Sequence, residues 1–257
     1  MWRPQLINPE LHKQPVALDR EKHRNLKVRT ELSNLQAAAG LNAFFLTAAE
    51  FADACKEYPI LFLGAGKDEQ GQEQVAPVAV FGVTQGENLF LKADGRWDAF
   101  YIPAVLRAYP FTMARIEEDR YAVCFDGAWS GMSETEGKPL FDDKGEPTPL
   151  LNDVRQFVEQ LEVEIERTRL AGQRLMALKL LAPKRFEATL PNGEPMSVDG
   201  FFAVDEERLN ALTDAEILEL HRNGLMGLLQ AHQISMGNMR RLLDRRLAAQ
   251  AAVAANA

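Results

Sequence analysis

The stretch TPLLNDVRQFVEQLEVEIERTRLAGQRLMALKLL, residues 148–181, decides how the rest of the chain is read. Thr148 can cap a helix, because its hydroxyl accepts from a backbone N–H that has no intrahelical partner. Pro149 suits the first helical position, where a missing N–H loses nothing. Apolar or small residues then recur at Leu151, Val154, Val158, Leu161, Ile165, Thr168, Gly172 and Leu175, in steps that alternate three and four. Such spacing keeps one stripe of a helix apolar along its length, with Glu159, Glu162, Glu166 and Arg167 outside it. Thr168 and Gly172 are small and allow close packing at the far end. A helix this long is either half of a helical hairpin or an oligomer contact.

Residues 213–248 repeat the pattern. Thr213-Asp-Ala-Glu216 is a capping box. The seam runs Leu218, His221, Leu225, Leu228, His232, Ser235, Met239, Leu242, and Asn223-Gly224 can break it into two helices. Between the two helical regions, Pro191-Asn-Gly-Glu194 marks a turn between strands 186–190 and 197–204. A short helix follows from Asp205 to Leu212. The alanine-rich end, 249–257, reads as a frayed tail.

Upstream, the pattern shortens to strand length. Strands are predicted at 43–46, 60–63, 75–83, 88–92, 111–116 and 120–125, with a hairpin around Gly86 and a polar glycine-rich loop over 64–74. Thr47-Ala-Ala-Glu50 is a capping box opening a helix from Ala48 to Glu57, which Pro59 ends. A second short helix spans 102–108, and 126–147 reads as a loop. Pro4, Pro9 and Pro15 keep residues 1–30 from forming a helix, so they read as an extended arm, with a strand near 25–30. Together this predicts an α+β fold: one domain over 31–248, a mainly antiparallel sheet packed against two long C-terminal helical segments. The two seams face each other or the sheet, and either could serve self-association.

Composition bounds the function. The 257 residues are 46% hydrophobic and 26% charged, with a net charge of −8, which excludes a disordered or collagen-like chain. Of that net charge, +4 lies in residues 1–30 and +3 in 240–257, so the body between carries −15. An acidic body argues against nucleic-acid binding. Its basic ends either lie on that body or reach for a partner. Cys55 and Cys124 are too few for a disulfide framework or a cysteine zinc site, and both sit in apolar stretches as small buried hydrophobes; a redox pair would require the fold to bring them together. No stretch has the length of a membrane span or a signal peptide, so the chain reads as cytoplasmic.

Motifs that carry chemistry are sparse. There is no G-x-S-x-G, P-loop or H-E-x-x-H. Asp142, Asp143 and Glu146 resemble a cation loop only in composition, since the EF-hand spacing is missing, and they read as a solvated turn. No metal or cofactor is called for. His221 and His232 lie in the second seam, about 16 Å apart on a continuous helix, too far to share a metal within one chain. They are either core histidines or members of a site completed by other elements. His12 and His23 read as solvated in the arm. The densest unusual segment is Asp94-Gly-Arg-Trp-Asp-Ala-Phe-Tyr-Ile-Pro103, continuing to Arg107 and Tyr109. Trp97, Tyr101, Arg107 and Tyr109 are residue types enriched at binding hot spots, and the same types also build cores with an arginine stacked on a ring.

Several of these segments carry a family resemblance: Tyr58-Pro-Ile60, Gly86-Glu-Asn-Leu-Phe-Leu91, Asp94-Gly-Arg-Trp97, Tyr101-Ile-Pro103 and Tyr109-Pro-Phe111. Leu140-Phe-Asp-Asp143 with Gly145-Glu-Pro147, Gly200-Phe201, Val204-Asp-Glu-Glu-Arg-Leu209 and Leu220-His221 extend it, as do His23-Arg24 and Leu26 near the start. With these the chain resembles the bacterial SapC family over almost its whole length, up to Arg246. The resemblance implies a protein of surface-layer (S-layer) loci, associated with assembly or export of the surface protein. It also implies neighbours such as TonB-dependent receptors and flavoproteins, and it supplies no catalytic residues. The function expected is therefore a non-enzymatic accessory protein binding a protein or peptide partner. Two alternatives stand beside it: an enzyme modifying a protein or sugar through His221 or His232 with carboxylates such as Asp205 or Glu206, and a small-molecule module built on the Trp97–Tyr109 segment. An enzyme should show a cleft with facing titratable groups, a small-molecule module an apolar pocket with few polar groups, and an interaction protein an exposed apolar face.

Overall fold

The computed structural model describes residues 8–30, 35–117, 120–189 and 195–255. In chain order the strands are β1 (Pro15–Ala17), β2 (Lys27–Val28), β3 (Ala43–Phe45), β4 (Ile60–Lys67), β5 (Glu73–Val80), β6 (Phe111–Glu117), β7 (Arg120–Asp126), β8 (Met132–Ser133), β9 (Lys138–Pro139), β10 (Leu181–Thr189) and β11 (Pro195–Val204). The helices are α1 (Phe51–Ala54), α2 (Ala104–Ala108), α3 (Pro149–Ala177), α4 (Glu206–Asn210), α5 (Asp214–Arg222), α6 (Leu225–Ser235) and α7 (Asn238–Ala255). A five-stranded sheet has the order β10-β11-β4-β5-β3. A second sheet has the order β1-β7-β6, and a small third one β8-β2-β9. Every pairing is antiparallel, as in Phe62↔Pro77, Phe202↔Phe62 and Phe111↔Phe125. The fold is α+β. No helix among the described residues is long and apolar enough to cross a membrane.

α3 begins where its signals place it: Leu151 N–H donates to the Thr148 hydroxyl (3.4 Å), and Pro149 holds the first position. Its seam is buried from Leu151 to Leu175, except for half-buried Val154. The seam faces the chain's own sheets and not a second long helix. It lies along β5 and β6, so α3 ties the two larger sheets together. Gly172 makes this possible, because a Cβ there would sit 3.1 Å from the Val75 carbonyl oxygen. Thr168 adds a polar tie: its hydroxyl accepts from Ala48 N (2.7 Å) and donates to Glu164 O (2.6 Å).

The second seam holds only from Leu225 onward, where Leu225, Leu228, His232, Ser235, Met239 and Leu242 are buried. Upstream, Leu218 is 46% exposed and His221 is exposed, while Leu220 enters the core instead. Gly224 adopts φ +80°, which ends α5 and rotates α6 relative to it, so one stripe cannot continue across the joint. α6 packs on α1, β4 and β11.

Three other expectations change. The stretch 88–92 is not a strand: after Val80 the chain folds back on itself, and only an isolated bridge, Leu91↔Trp97, survives. Glu87 takes over the backbone bonding there, its carboxylate accepting from Val83 N (3.0 Å) and Thr84 N (3.3 Å). The expected loop over 64–74 is mostly ladder, with β4 running to Lys67 and β5 starting at Glu73. The helix expected over 48–57 is a 3-10 turn, Ala48–Glu50, followed by the four residues of α1. The β10–β11 turn, Pro191-Asn-Gly-Glu194, lies outside the described residues.

The basic ends lie on the acidic body. β1 pairs with β7, Leu11 and His12 are buried, Arg29 pairs with Glu136 (3.5 Å) and Arg24 donates to Asp143 O. At the other end Arg245 pairs with Asp98 (2.8 Å), and Arg241 donates to Lys56 O (3.1 Å).

Candidate functional site

Where α2 meets β6, the chain turns through Tyr109-Pro110, and the first half of α3 passes over the turn. The result is an open groove of about 360 Å³, walled by Tyr109, Trp129, Phe157 and Val154 and edged by Arg107 and Asp153. Each wall has a local cause. The Tyr109 ring stands edge-on to Trp129 (6.2 Å between centroids). The indole lies so close to Gly131 that a Cβ there would fall 2.2 Å from it, so the glycine makes room for the ring. Arg107, in the last turn of α2, is anchored by its Nε to Ile102 O (3.0 Å). Its guanidinium sits over Phe157 (5.4 Å) and Tyr101 (5.6 Å).

Behind the aromatic wall is a buried polar cluster. Asp126 is fully buried and accepts from Gln14 N (2.8 Å), Tyr109 Oη (2.9 Å), Ala128 N (3.1 Å) and Lys13 N (3.1 Å). Burial works to raise its pKa, but these donors prevail and hold the carboxyl below its ordinary value. The Tyr109 hydroxyl is shifted upward, first by burial and then by its bond to that carboxylate. The His12 ring lies 5.7 Å from Tyr109, and burial lowers its pKa despite the nearby Asp126 charge. His12 Nδ1 accepts from Asn8 N (3.2 Å), while Nε2 has no hydrogen-bond partner among the described residues. His12 is therefore a buried group, not a solvated one: the arm folds onto β7 and carries it inside. His23 packs its ring on Phe125 (5.2 Å).

The segment singled out in the sequence is divided by the fold. Arg107 and Tyr109 line the groove. Trp97 joins a separate cluster with Phe81 and Phe90, its Nε1 donating to Tyr58 Oη (2.7 Å), and Arg245 of α7 covers Phe90 (4.4 Å). Tyr101 donates its hydroxyl to the buried Glu50 (2.8 Å), which also accepts from Ala104 N (2.6 Å), Thr47 N (2.8 Å) and Thr47 Oγ1 (2.8 Å). His221 sits exposed at the end of α5. His232 is buried in α6, its Nε2 accepting from Val204 N (3.2 Å), so the fold does not bring the two together. Neither lines the groove. Asp205 caps α4 through Arg208 N (3.1 Å). The carboxylate of Asp142 closes its own turn by accepting from Glu146 N (2.7 Å) and Lys144 N (2.9 Å), and no group of three metal-ligating side chains occurs among the described residues. Cys55 and Cys124 are buried free thiols, each pushed to a higher pKa by burial.

Trp129 and Phe157 of the groove, and Asp126 and His12 of the buried cluster behind it, are site residues that the sequence did not single out. Gly127-Ala-Trp-Ser-Gly131, a tryptophan between glycines inside a loop, is the signal that a reading of the sequence could have used to find Trp129.

The sequence model of the SapC family matches residues 18–242. The chain belongs to the SapC family. No curated protein and no solved structure matches it. The SapC match begins at Leu18, so Lys13 and Gln14, which supply two of the four donors to Asp126 just before β1, lie outside the matched region, whereas Tyr109, Trp129, Phe157 and Arg107 all lie within it.

Proposed function

We propose that this SapC-family protein is an accessory binding protein, working in the cytoplasm, whose Tyr109–Trp129–Phe157 groove takes a side chain of a protein or peptide partner. The systems it would serve are surface-protein assembly or export, or TonB-receptor-linked uptake. The observation that carries the reading is an open groove with three aromatic walls and one guanidinium at its rim. Aromatic residues and arginine dominate interface hot spots because they combine large apolar area with few freezable torsions and a directional donor. A volume of about 360 Å³ fits one large side chain better than an extended ligand. Arg107, held over Phe157, is placed to receive a carbonyl or carboxylate next to the inserted group.

The test uses overlapping peptides from the proteins encoded beside this one, titrated against the purified chain by fluorescence anisotropy. Trp129→Ala and Phe157→Ala should each weaken the best peptide by roughly tenfold or more, with circular dichroism unchanged. Unchanged affinity in both folded variants sinks the groove reading. A small molecule retained through purification and lost in the same variants, seen by native mass spectrometry, replaces it with the ligand-binding module.

A further inference from the structure

A second groove runs along the C-terminal half of α3, beyond the aromatic one. It has a volume of about 710 Å³ and is bounded by α3, β7 and the turn between β4 and β5. Its floor is apolar and open to solvent: Tyr121 is 43% exposed, Val163 52% and Leu170 51%. Val163 and Leu170 are seven residues apart, two turns along one stripe of α3, and that stripe is not the buried seam. With Tyr121 they put three large exposed apolar side chains in one groove, and a grouped apolar patch with a polar rim is the mark of a contact face.

The rim gives the sign of the partner. Among the described residues, five carboxylates line the groove against two guanidiniums. Both guanidiniums are already neutralised on α3, Arg167 by Glu164 (2.6 Å) and Arg169 by Glu166 (2.6 Å). Glu69 and Glu159, both exposed, have no ion pair among the described residues. Elsewhere the acidic body is matched by the chain's own basic ends, as at Arg29–Glu136 and Arg245–Asp98. Those ends lie on the arm and on α7, and neither lines this groove.

We infer that this groove docks a basic segment of a partner protein, one that alternates lysine or arginine with apolar side chains. The apolar groups sit on Tyr121, Val163 and Leu170, and the cations meet Glu69 and Glu159. Charge complementarity of this kind sets encounter rate and partner sign, while the apolar floor holds the complex. The inference stands apart from the aromatic groove, since the two sites share no lining residue.

The test uses two fluorescein-labelled synthetic peptides of about ten residues, one alternating leucine with lysine and one alternating leucine with glutamate. Each is titrated into the full chain by anisotropy at low and at physiological salt. The lysine peptide should bind and the glutamate peptide should not. Glu69→Lys with Glu159→Lys should weaken binding by roughly tenfold or more, and so should Val163→Ser with Leu170→Ser. A control with the same net charge change outside the groove lining, Glu206→Lys with Glu207→Lys on α4, should stay within about twofold at physiological salt, where screening leaves only charges within about 8 Å effective. If a charge-reversed pair misfolds by circular dichroism, Glu69→Gln with Glu159→Gln replaces it, with a smaller loss in the same direction. Equal loss in the groove and control pairs would mean attraction to net charge alone and would overturn the inference. So would binding of the glutamate peptide, or no binding of the lysine peptide. Trp129→Ala should leave this binding unchanged, which separates its failure from failure of the aromatic groove.

Discussion

At the scale of single residues, the buried polar groups set the sensitive points. His232 is 1% exposed, packed against Phe62, with Nε2 occupied by Val204 N–H and Nδ1 without a partner among the described residues. Burial lowers its pKa to about 4 from an ordinary 6.5. A folded-state pKa below the unfolded one means that the unfolded chain binds the proton more readily. Stability is therefore fully present above pH 6.5 and falls as the pH drops from there towards 4, by about 3 kcal/mol in all. Urea midpoints measured from pH 7.5 to 4 should show this slope, and His232→Gln, which can still accept from Val204 N, should flatten it. An equal slope in the variant would place the acid sensitivity elsewhere. Glu50 gives a second test. Its two carboxylate oxygens accept from four donors on three residues of two distant segments, Thr47 on one and Tyr101 and Ala104 on the other. An amide presents a donor to one of those sites, so Glu50→Gln should lower stability by roughly 2–4 kcal/mol with an unchanged urea slope. A loss under about 0.5 kcal/mol, the range of ordinary surface changes, would mean that the cluster is not coupled.

Among the elements, α3 carries the architecture through its smallest residue. Gly172 lets the helix approach β5 until an added Cβ would stand 3.1 Å from the Val75 carbonyl oxygen and 3.2 Å from Val75 Cγ2. Val75 is held in the ladder by β4 and covered by α3, so its carbonyl cannot yield easily, and Gly172→Val should destabilise by roughly 2–3 kcal/mol, against the helix propensity it improves. Thermal melts decide it, and a stabilised variant would show that α3 can lift off β5. The seam that ends at this contact was legible because burial and spacing share one cause: a straight helix on a sheet must keep one stripe apolar. The expected strand at 88–92 was not legible in its true form. Its alternation is real, but Glu87 supplies the hydrogen bonds that a ladder would, and that substitution depends on a fold-back at Gly82 that no local pattern shows. The break at Gly224 was visible, but the rotation it imposes on His221 was not. Of the candidate site, Arg107 and Tyr109 could be read as residue types with two uses. Trp97 and Tyr101 took the structural use because Tyr58 and Glu50, some forty to fifty positions away, supplied the partners. His12 looked solvated because nothing in residues 1–30 reveals that β7 has an open edge for them.

For the molecule as a whole, charge and topology converge on that edge. The arm adds β1 to β7, and in doing so delivers Lys13 N and Gln14 N to the buried Asp126, half of the four donors that keep it ionised. The arm is thus a structural part of the wall behind the aromatic groove, since Tyr109 reaches the same carboxylate. Deleting residues 1–17 should do two things. Asp126 would keep a charge with too few donors, and Leu11 and His12 would no longer cover the core, so stability should fall by roughly 3–5 kcal/mol. The bare β7 edge should also pair with other chains, giving association that grows with concentration. Urea unfolding and light scattering after size exclusion read the two effects separately. A synthetic peptide of residues 8–17, added in trans, should reverse both by refilling the edge. A truncated chain that stays monomeric with an unchanged urea midpoint would show that β7 does not need the arm and that Asp126 is held by Tyr109 and Ala128 alone. The aromatic groove would then have to owe its shape to α2 and α3 without support from the N-terminal strand.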